Sequence, residues 1–292
     1  MTHSTAASRV ATPELSVVVP TFGRAETIAR LLAQLARQSL EPARFEVVVV
    51  DDGSPLPIDL DARDYPFALT LLRQDNAGPG AARNRALEHC RAPWTLILND
   101  DAVPAGDLLA KHLELAAQMP PRTALLGTFD FTADSLAGPF NQILQQSDLL
   151  FDFPRLVHDV NLGWQFFWTC NLSLPTQALR DAGGFDAARF REAIVEDVEL
   201  GYRLAKKGWQ VRFRRDLGCE HDHRLEPAGY FRRMVRLGFN MAAMYEKHSD
   251  AGLLHMKDPS AIGPAWFSAM QQHCEAYHGP LTALIAKLEK LE

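Results

Sequence analysis

Apolar residues follow two rhythms in the first hundred positions. Short unbroken runs, Leu15 to Val19, Phe45 to Val50, Leu69 to Leu72 and Trp94 to Leu98, alternate with stretches of helical spacing. Runs of this length, bounded by turn residues such as Pro20-Thr21 and Ala92-Pro93, predict strands covered on both faces. Ile28, Leu31, Leu32 and Leu35 fall on one face of a helix predicted over Ala25 to Gln38. A second helix fits Gly78 to His89, after a Gly/Pro-rich loop. Strand and helix in alternation imply right-handed crossovers and a largely parallel sheet.

The pattern then loosens. A helix is expected to start near Gly106, and residues 130–165 mix aromatics, Pro and Gly around one predicted helix, Pro139 to Asp148. Trp164 to Leu174 is apolar and strand-like. Glu196 to Lys206 reads as a helix stopped by Gly208, and Gln210 to Phe213 as the next strand. Tyr230, Met234, Leu237, Met241 and Met244 recur at helical spacing, so a helical region is expected from about residue 227. The expected organisation is a flexible tail over 1–13, an α/β domain over 14–225 with a mostly parallel central sheet flanked by helices, and a C-terminal helical region over 226–292 packed on it.

Composition narrows the function. The chain has 292 residues, 47% of them hydrophobic, enough for a sizeable core, and a formal net charge of −6, which argues against sequence-independent nucleic-acid binding. Its four cysteines, Cys90, Cys170, Cys219 and Cys274, are too widely spaced for a zinc pattern and suit a reducing compartment. With no signal-peptide pattern and no apolar stretch of membrane-spanning length, a soluble, cytoplasmic protein is expected.

The candidate chemistry sits where strands end. Leu98 runs into Asn99-Asp100-Asp101, and Val50 into Asp51-Asp52-Gly53-Ser54. In parallel strands both acidic ends open on one edge, where open α/β sheets bind ligands. Adjacent carboxylates repel unless a cation or strong donors compensate, and Mg²⁺ or Mn²⁺ shared with a substrate phosphate is a natural partner. Ordinary Asp-rich turns are the alternative. Between them, Asn76 to Arg85 places glycines before a helix, where backbone N–H groups approach a phosphate and Arg83 can reach the same charge. It lacks both the dinucleotide-binding glycine fingerprint and the P-loop pattern, which disfavours those classes. In Glu196-Asp197-Val198-Glu199-Leu200, helical geometry puts Asp197 beside the core-facing stripe, while Glu199 and Arg203 are expected to pair on the solvent side. An acid at such a helix start can act as general base for a docked hydroxyl.

These motifs, with Val17-Val18-Val19-Pro20-Thr21-Phe22-Gly23-Arg24, Cys170 to Leu174 and Gly183-Gly184-Phe185-Asp186, together resemble the inverting family-2 glycosyltransferases of GT-A fold, in order over residues 15 to about 245. The resemblance implies that Pro20, Thr21 and Arg24 border a nucleotide and that Asp52 or Asp51 contacts its base, with Asn76 and Arg83 also on the donor side. Asn99-Asp100-Asp101 stands at the family's D-x-D motif with Asn first. That makes Asp101 the implied metal ligand and turns Asn99 and Asp100 to ribose or donor sugar. Asp197 resembles the catalytic base, with Glu196 beside the acceptor. His221, or else His223, resembles a late metal-binding histidine, with a surface histidine as the alternative.

The activity implied is metal-dependent transfer, with Mn²⁺ or Mg²⁺, from a nucleoside-diphosphate sugar to a hydroxyl of a saccharide or lipid-linked acceptor. A nucleotidyltransferase making a nucleotide-sugar and a non-catalytic nucleotide-sugar-binding protein are the alternatives. Trp168 and Asn171 are expected in the acceptor pocket, since an aromatic face packs on a sugar ring and an amide bonds its hydroxyls; for Trp168 a core role is the alternative. Arg232, Arg233 and Arg236 form a basic face that admits peripheral membrane contact or an anionic acceptor, or else stays solvated.

Overall fold

The computed structural model describes residues 12–146, 150–151 and 153–248. The four apolar runs become β1 (Leu15–Thr21), β2 (Phe45–Asp51), β3 (Ala68–Arg73) and β4 (Trp94–Leu98). Each is a residue or two longer than its apolar run, except β4, which matches it. β1 and β2 are buried along nearly their whole length, as strands covered on both faces must be. The helices between them are α1 (Ala25–Leu35), which buries the four residues expected of it, and α2 (Pro79–His89). β1 pairs in parallel with β2 on one side and β4 on the other, and β2 pairs in parallel with β3.

The second half extends the same sheet by mixed pairing. It contains β5 (Ala102–Pro104), α3 (Leu108–Ala116), β6 (Thr123–Leu126), β7 (Asp130–Phe131), α4 (Pro139–Gln145), β8 (Val160–Leu162), β9 (Asn171–Pro175) and α5 (Thr176–Asp181). These are followed by α6 (Glu196–Ala205), β10 (Gln210–Phe213), β11 (Cys219–His221) and α7 (Pro227–Lys247). The large sheet has the order β3-β2-β1-β4-β9-β6-β10-β8, with β9 antiparallel to β4 and β6. A small sheet, β5-β11-β7, stands beside it. Mostly parallel strands flanked by helices bear out the fold class.

Two local expectations fail. Trp164 to Leu174 is not one strand: Trp164–Phe166 form a 3₁₀ turn, and β9 begins only at Asn171. The intervening aromatics pack on one another, with Trp168 ring-to-ring about 5 Å from each of Phe151, Phe153 and Phe166. Glu199 is not on the solvent side either. It is fully buried, and its pairing with Arg203 at 2.9 Å ties α6 inward, because Arg203 also donates to the carbonyls of Ala182 and Gly184.

One compact unit runs through Ala243. The expected tail falls almost wholly, and the C-terminal region from 249 on entirely, outside the described residues. Among the described residues no helix is long and apolar enough to cross a membrane.

Candidate active site

Because β1, β2 and β4 run the same way, Thr21, Asp51-Asp52 and Asn99-Asp100-Asp101 arrive at one edge of the sheet. A cleft of about 380 Å³ opens there, lined among others by Pro20, Thr21, Arg24, Asp52, Arg83, Asn99, Asp100 and Asp101. Glu196, Asp197, His221 and His223 line it as well. Most expected site residues therefore meet in one place. Asp51, Asn76, Trp168 and Asn171 do not line it.

The acidic end of β2 is closed on itself. Asp51 Oδ1 accepts from the Ser54 N–H at 2.9 Å, and Oδ2 takes the Arg73 guanidinium. Burial pushes the Asp51 carboxyl up, but the bonds from Ser54, Ile58 and Arg73 outweigh it and hold the group below the usual range. Asp51 thus shapes a turn and does not line the cleft. Asp52 reaches the cleft, with its carboxylate accepting from Gln74 Nε2 at 2.7 Å and the N–H groups of Ala77 and Gly78 at 3.0 and 2.8 Å. Asn76 is spent on this loop, donating to the Asp52 carbonyl at 3.0 Å. Gly78 has φ +92°, and a Cβ there would lie 1.8 Å from the Arg191 carbonyl oxygen, so only glycine fits.

At the acidic end of β4 the partners are Thr21, Arg24 and two histidines. Thr21 Oγ1 donates to Asp100 Oδ2 at 2.8 Å, and the Arg24 guanidinium bridges Asp100 Oδ1 at 3.0 Å and Asp101 Oδ2 at 2.7 Å. His221 Nε2 and His223 Nδ1 stand 3.3 and 3.0 Å from the same Asp101 oxygen. Burial pushes both carboxyls up. For Asp101 the two imidazoles and Arg24 outweigh it and hold the group well below the carboxylate range, whereas Asp100, next to the Asp101 charge, stays raised.

His221 closes β11, and the rings of Phe129 and Phe131 stack on it at 4.6 and 5.2 Å. Donor atoms of Asp101, His221 and His223 all lie within 4.8 Å of one another. Asp101 Oδ1 and His221 Nδ1 are buried with no hydrogen-bond partner. One carboxylate and two imidazoles, with buried lone pairs left over, fit a divalent ion. The sequence offered His221 or His223; the structure brings both.

Val195 takes a left-handed conformation, φ 75°, uncommon for a β-branched residue, and turns the chain into α6. Glu196 points into the protein, paired with buried Arg83 at 2.8 Å, and the Arg83 guanidinium lies 5.4 Å over the Phe185 ring. The two expected contacts for phosphate and acceptor are thus bound to each other at the cleft wall. Burial, reinforced by the neighbouring Asp197 charge and only partly offset by Arg83, pushes the Glu196 carboxyl up to about 7. Asp197 is half-buried and faces the cleft. The Thr169 and Val198 N–H groups donate to its two oxygens at 3.2 and 2.8 Å, fixing the carboxylate's plane.

Asn171 is a correction. It is completely buried: its amide donates to the carbonyls of Thr128 and Leu217, at 3.0 and 3.1 Å, and its oxygen lies 3.0 Å from His112 Nε2. An amide with these partners anchors a loop and has nothing left for an acceptor. Trp168 does not line the cleft and packs with Phe151, Phe153 and Phe166, the core role given as its alternative. Leu150, Phe151, Thr169, Leu225, Tyr230 and Arg233 reach the cleft in their place. Of these the sequence singled out only Arg233 and Tyr230, and neither as a cleft residue.

Residues 16–178 match the family model for Glycosyl transferase family 2. Validoxylamine A glucosyltransferase of Streptomyces hygroscopicus subsp. limoneus is 31% identical over 249 residues, covering 72% of this chain and 52% of that protein. Pre-mycofactocin glycosyltransferase of Mycobacterium tuberculosis is 26% identical, covering 81% and 48%. The chain spans about half the length of these curated relatives. Among solved structures, the mannosyltransferase PcManGT from Pyrobaculum calidifontis, in complex with GDP-Man and Mn²⁺, superposes with a TM-score of 0.59 at 22% identity, over 95% of this chain and 81% of that one. Residues 1–349 of S. aureus TarS, in complex with UDP, give 0.55 at 19% identity, over 78% and 65%. These two likenesses establish a shared GT-A fold.

Proposed function

We propose, for a chain that belongs to glycosyl transferase family 2, the transfer of a sugar from a nucleoside-diphosphate sugar to an acceptor hydroxyl with inversion at the anomeric carbon. The observation that carries this reading is the meeting, across one cleft, of a free-standing carboxylate, Asp197, and the Asp101–His221–His223 group. A single displacement needs a base on one side of the reacting carbon and charge stabilisation for the departing group on the other.

In this mechanism Asp197 accepts the acceptor's proton as its oxygen attacks. The N–H groups of Thr169 and Val198 keep the carboxylate oriented. Asp52 and the loop it organises receive the base and ribose end of the donor, together with Pro20, Thr21, Asn99 and Asp100. A divalent ion, Mn²⁺ or Mg²⁺, held by Asp101 and the two histidines would supply Lewis-acid stabilisation to the leaving diphosphate. Arg24, which already bridges the acid pair, adds positive charge on that side. The acceptor end is formed by Phe151, Tyr230 and Arg233, aromatic faces and a cation suited to a saccharide bearing an anionic or lipid-linked group.

The test is turnover of UDP- and GDP-sugars with a panel of saccharide acceptors, followed as nucleoside diphosphate release, with the product's anomeric configuration read by NMR. Asp197→Asn should keep donor-induced thermal stabilisation and lower transfer about 10²–10⁴-fold. Release of pyrophosphate in place of nucleoside diphosphate would replace this reading with nucleotidyl transfer.

A further inference from the structure

Asp197 is carried by a backbone joint that its residue type resists. Val195, buried just before α6, holds φ 75° and ψ −19°, the left-handed region that a β-branched side chain disfavours. A residue in that region persists only where its surroundings over-determine it. The next two residues point about 100° apart around the helix axis, Glu196 inward onto Arg83 and Asp197 into the cleft. A turn of the joint would swing both. The hold on it comes from α7, which takes the preceding segment at three points. Arg189 Nε donates to the Ala243 carbonyl at 3.1 Å, Arg236 stands 3.6 Å from Glu192, and Asn240 Nδ2 donates to the Ile194 carbonyl at 3.2 Å. Of the three, the Asn240 bond alone reaches the joint itself. The Ile194 carbonyl and the Val195 N–H share one planar peptide unit, so a bond to that oxygen fixes the plane from which φ of Val195 turns. Asn240 does not line the cleft.

From this geometry, and resting on the transfer reading above, we infer that Asn240 is a positioning residue for the base: by holding the Ile194–Val195 peptide it keeps Val195 left-handed and Asp197 aimed at the acceptor hydroxyl. A general base works only within hydrogen-bond reach of the proton it takes. The Thr169 and Val198 N–H groups fix the plane of the Asp197 carboxylate, and Asn240 fixes the backbone that carries it. Without the Asn240 bond, Val195 relaxes toward negative φ and the carboxylate loses its aim. Such a loss slows the chemical step and leaves the binding of both substrates where it was.

The experiment uses the full chain, with the UDP- or GDP-sugar and the saccharide acceptor that turn over fastest in the panel above. Asn240→Asp, which swaps the donating amide for a carboxylate of the same size, should lower kcat about 10–100-fold, the loss that a misplacement of about 1 Å produces. The KM of each substrate should stay within about twofold, with the unfolding midpoint nearly unchanged. Asn240→Ala, which removes the donor without adding charge, should lower kcat likewise. Glycine adopts positive φ freely. In a Val195→Gly background the Asn240→Asp effect should therefore shrink to less than about threefold, a coupling that a merely structural asparagine does not show. Amide deuterium exchange over residues 194–199 needs no substrate and should speed up in both Asn240 variants. Unchanged kcat or unchanged exchange in both variants, a rise in KM alone, a loss that follows the unfolding midpoint, or an undiminished effect in the Val195→Gly background would each overturn the inference while leaving sugar transfer intact. No nucleoside diphosphate released from any donor by the unsubstituted chain would instead sink the transfer reading, and with it the role of Asp197.

Discussion

The ends of β2 and β4 look alike in sequence and behave differently in the folded chain. Each strand delivers two adjacent carboxylates to the same edge of the sheet. At β2 the partners are backbone N–H groups of two loops and the side chains of Arg73 and Gln74 at the end of β3, so both carboxylates are spent on holding those loops. At β4 the partners are Arg24, at the start of α1, and His221 and His223, from the end of β11 and beyond, and Asp101 Oδ1 is left without a hydrogen-bond partner. A carboxylate pair is a scaffold or a candidate ion site according to whether fixed donors take all its oxygens or leave one, here Asp101 Oδ1, without a hydrogen-bond partner.

Substitution separates the two ends. Asp101→Asn should have the largest effect: removing the only carboxylate of the ion site is expected to lower transfer by about a thousandfold, several kcal/mol of lost charge stabilisation, while the unfolding midpoint changes little. Asp51→Asn should do the reverse. It strips a buried, multiply bonded carboxylate and should cost about 2 kcal/mol in urea unfolding, in line with hydrogen bonds to charged groups, with the ion titration unaltered. The Asp51 carboxyl lies below its ordinary value in the fold, so its contribution is present above about pH 4 and is lost as pH falls through the lower folded value. Asp51→Asn should therefore flatten the acid limb of the stability curve below about pH 4.

A third acid pair, Glu196-Asp197, sharpens the contrast, since here one member is buried against Arg83 and the other faces the cleft. The Glu196 carboxyl is raised from 4.5 to about 7, so its stabilising protonated form is fully present below 4.5 and is lost as pH rises through about 7. Glu196→Gln should remove that decline between those two values, read by chemical denaturation across the pH range. The smallest expected effect belongs to Asp100→Asn. Removing one of two buried like charges should raise the melting temperature of the metal-free protein by about 1–3 °C, and a lowered melting temperature would show that Arg24 and Thr21 more than compensate the repulsion.

The sheet was legible wherever burial was two-sided and the run long enough to carry a pattern, as in β1, β2 and β4. It was not legible at Trp164 to Trp168, because an unbroken apolar stretch has no period and a 3₁₀ turn of aromatics looks like a strand. The small sheet escaped for a related reason: strands of two or three residues, such as β7 and β11, are shorter than any periodicity. Asp101, Asp197 and His221 could be picked out because an acidic strand end, an acidic helix start and the resemblance to the family's motifs marked them, and the fold brings all three to one cleft. Asn171 misled because a polar residue in an apolar strand suggests a ligand contact, whereas its partners, His112 and the carbonyls of Thr128 and Leu217, lie at least 43 residues away and leave no local mark. Phe151, Tyr230 and Arg233 come from an excursion and a helix whose approach to the cleft only tertiary packing decides.

The two phenylalanines on His221 impose a rule on chain length. Phe129 and Phe131 are two positions apart, and both rings stack on the imidazole because alternate residues of an extended segment share a side. Deleting Asp130 or inserting one residue beside it would send one ring to the opposite side, whereas inserting two would restore the parity. This short stretch should therefore accept length variation only in even steps, in contrast to the loop over residues 55–64, where no such alternation is at stake.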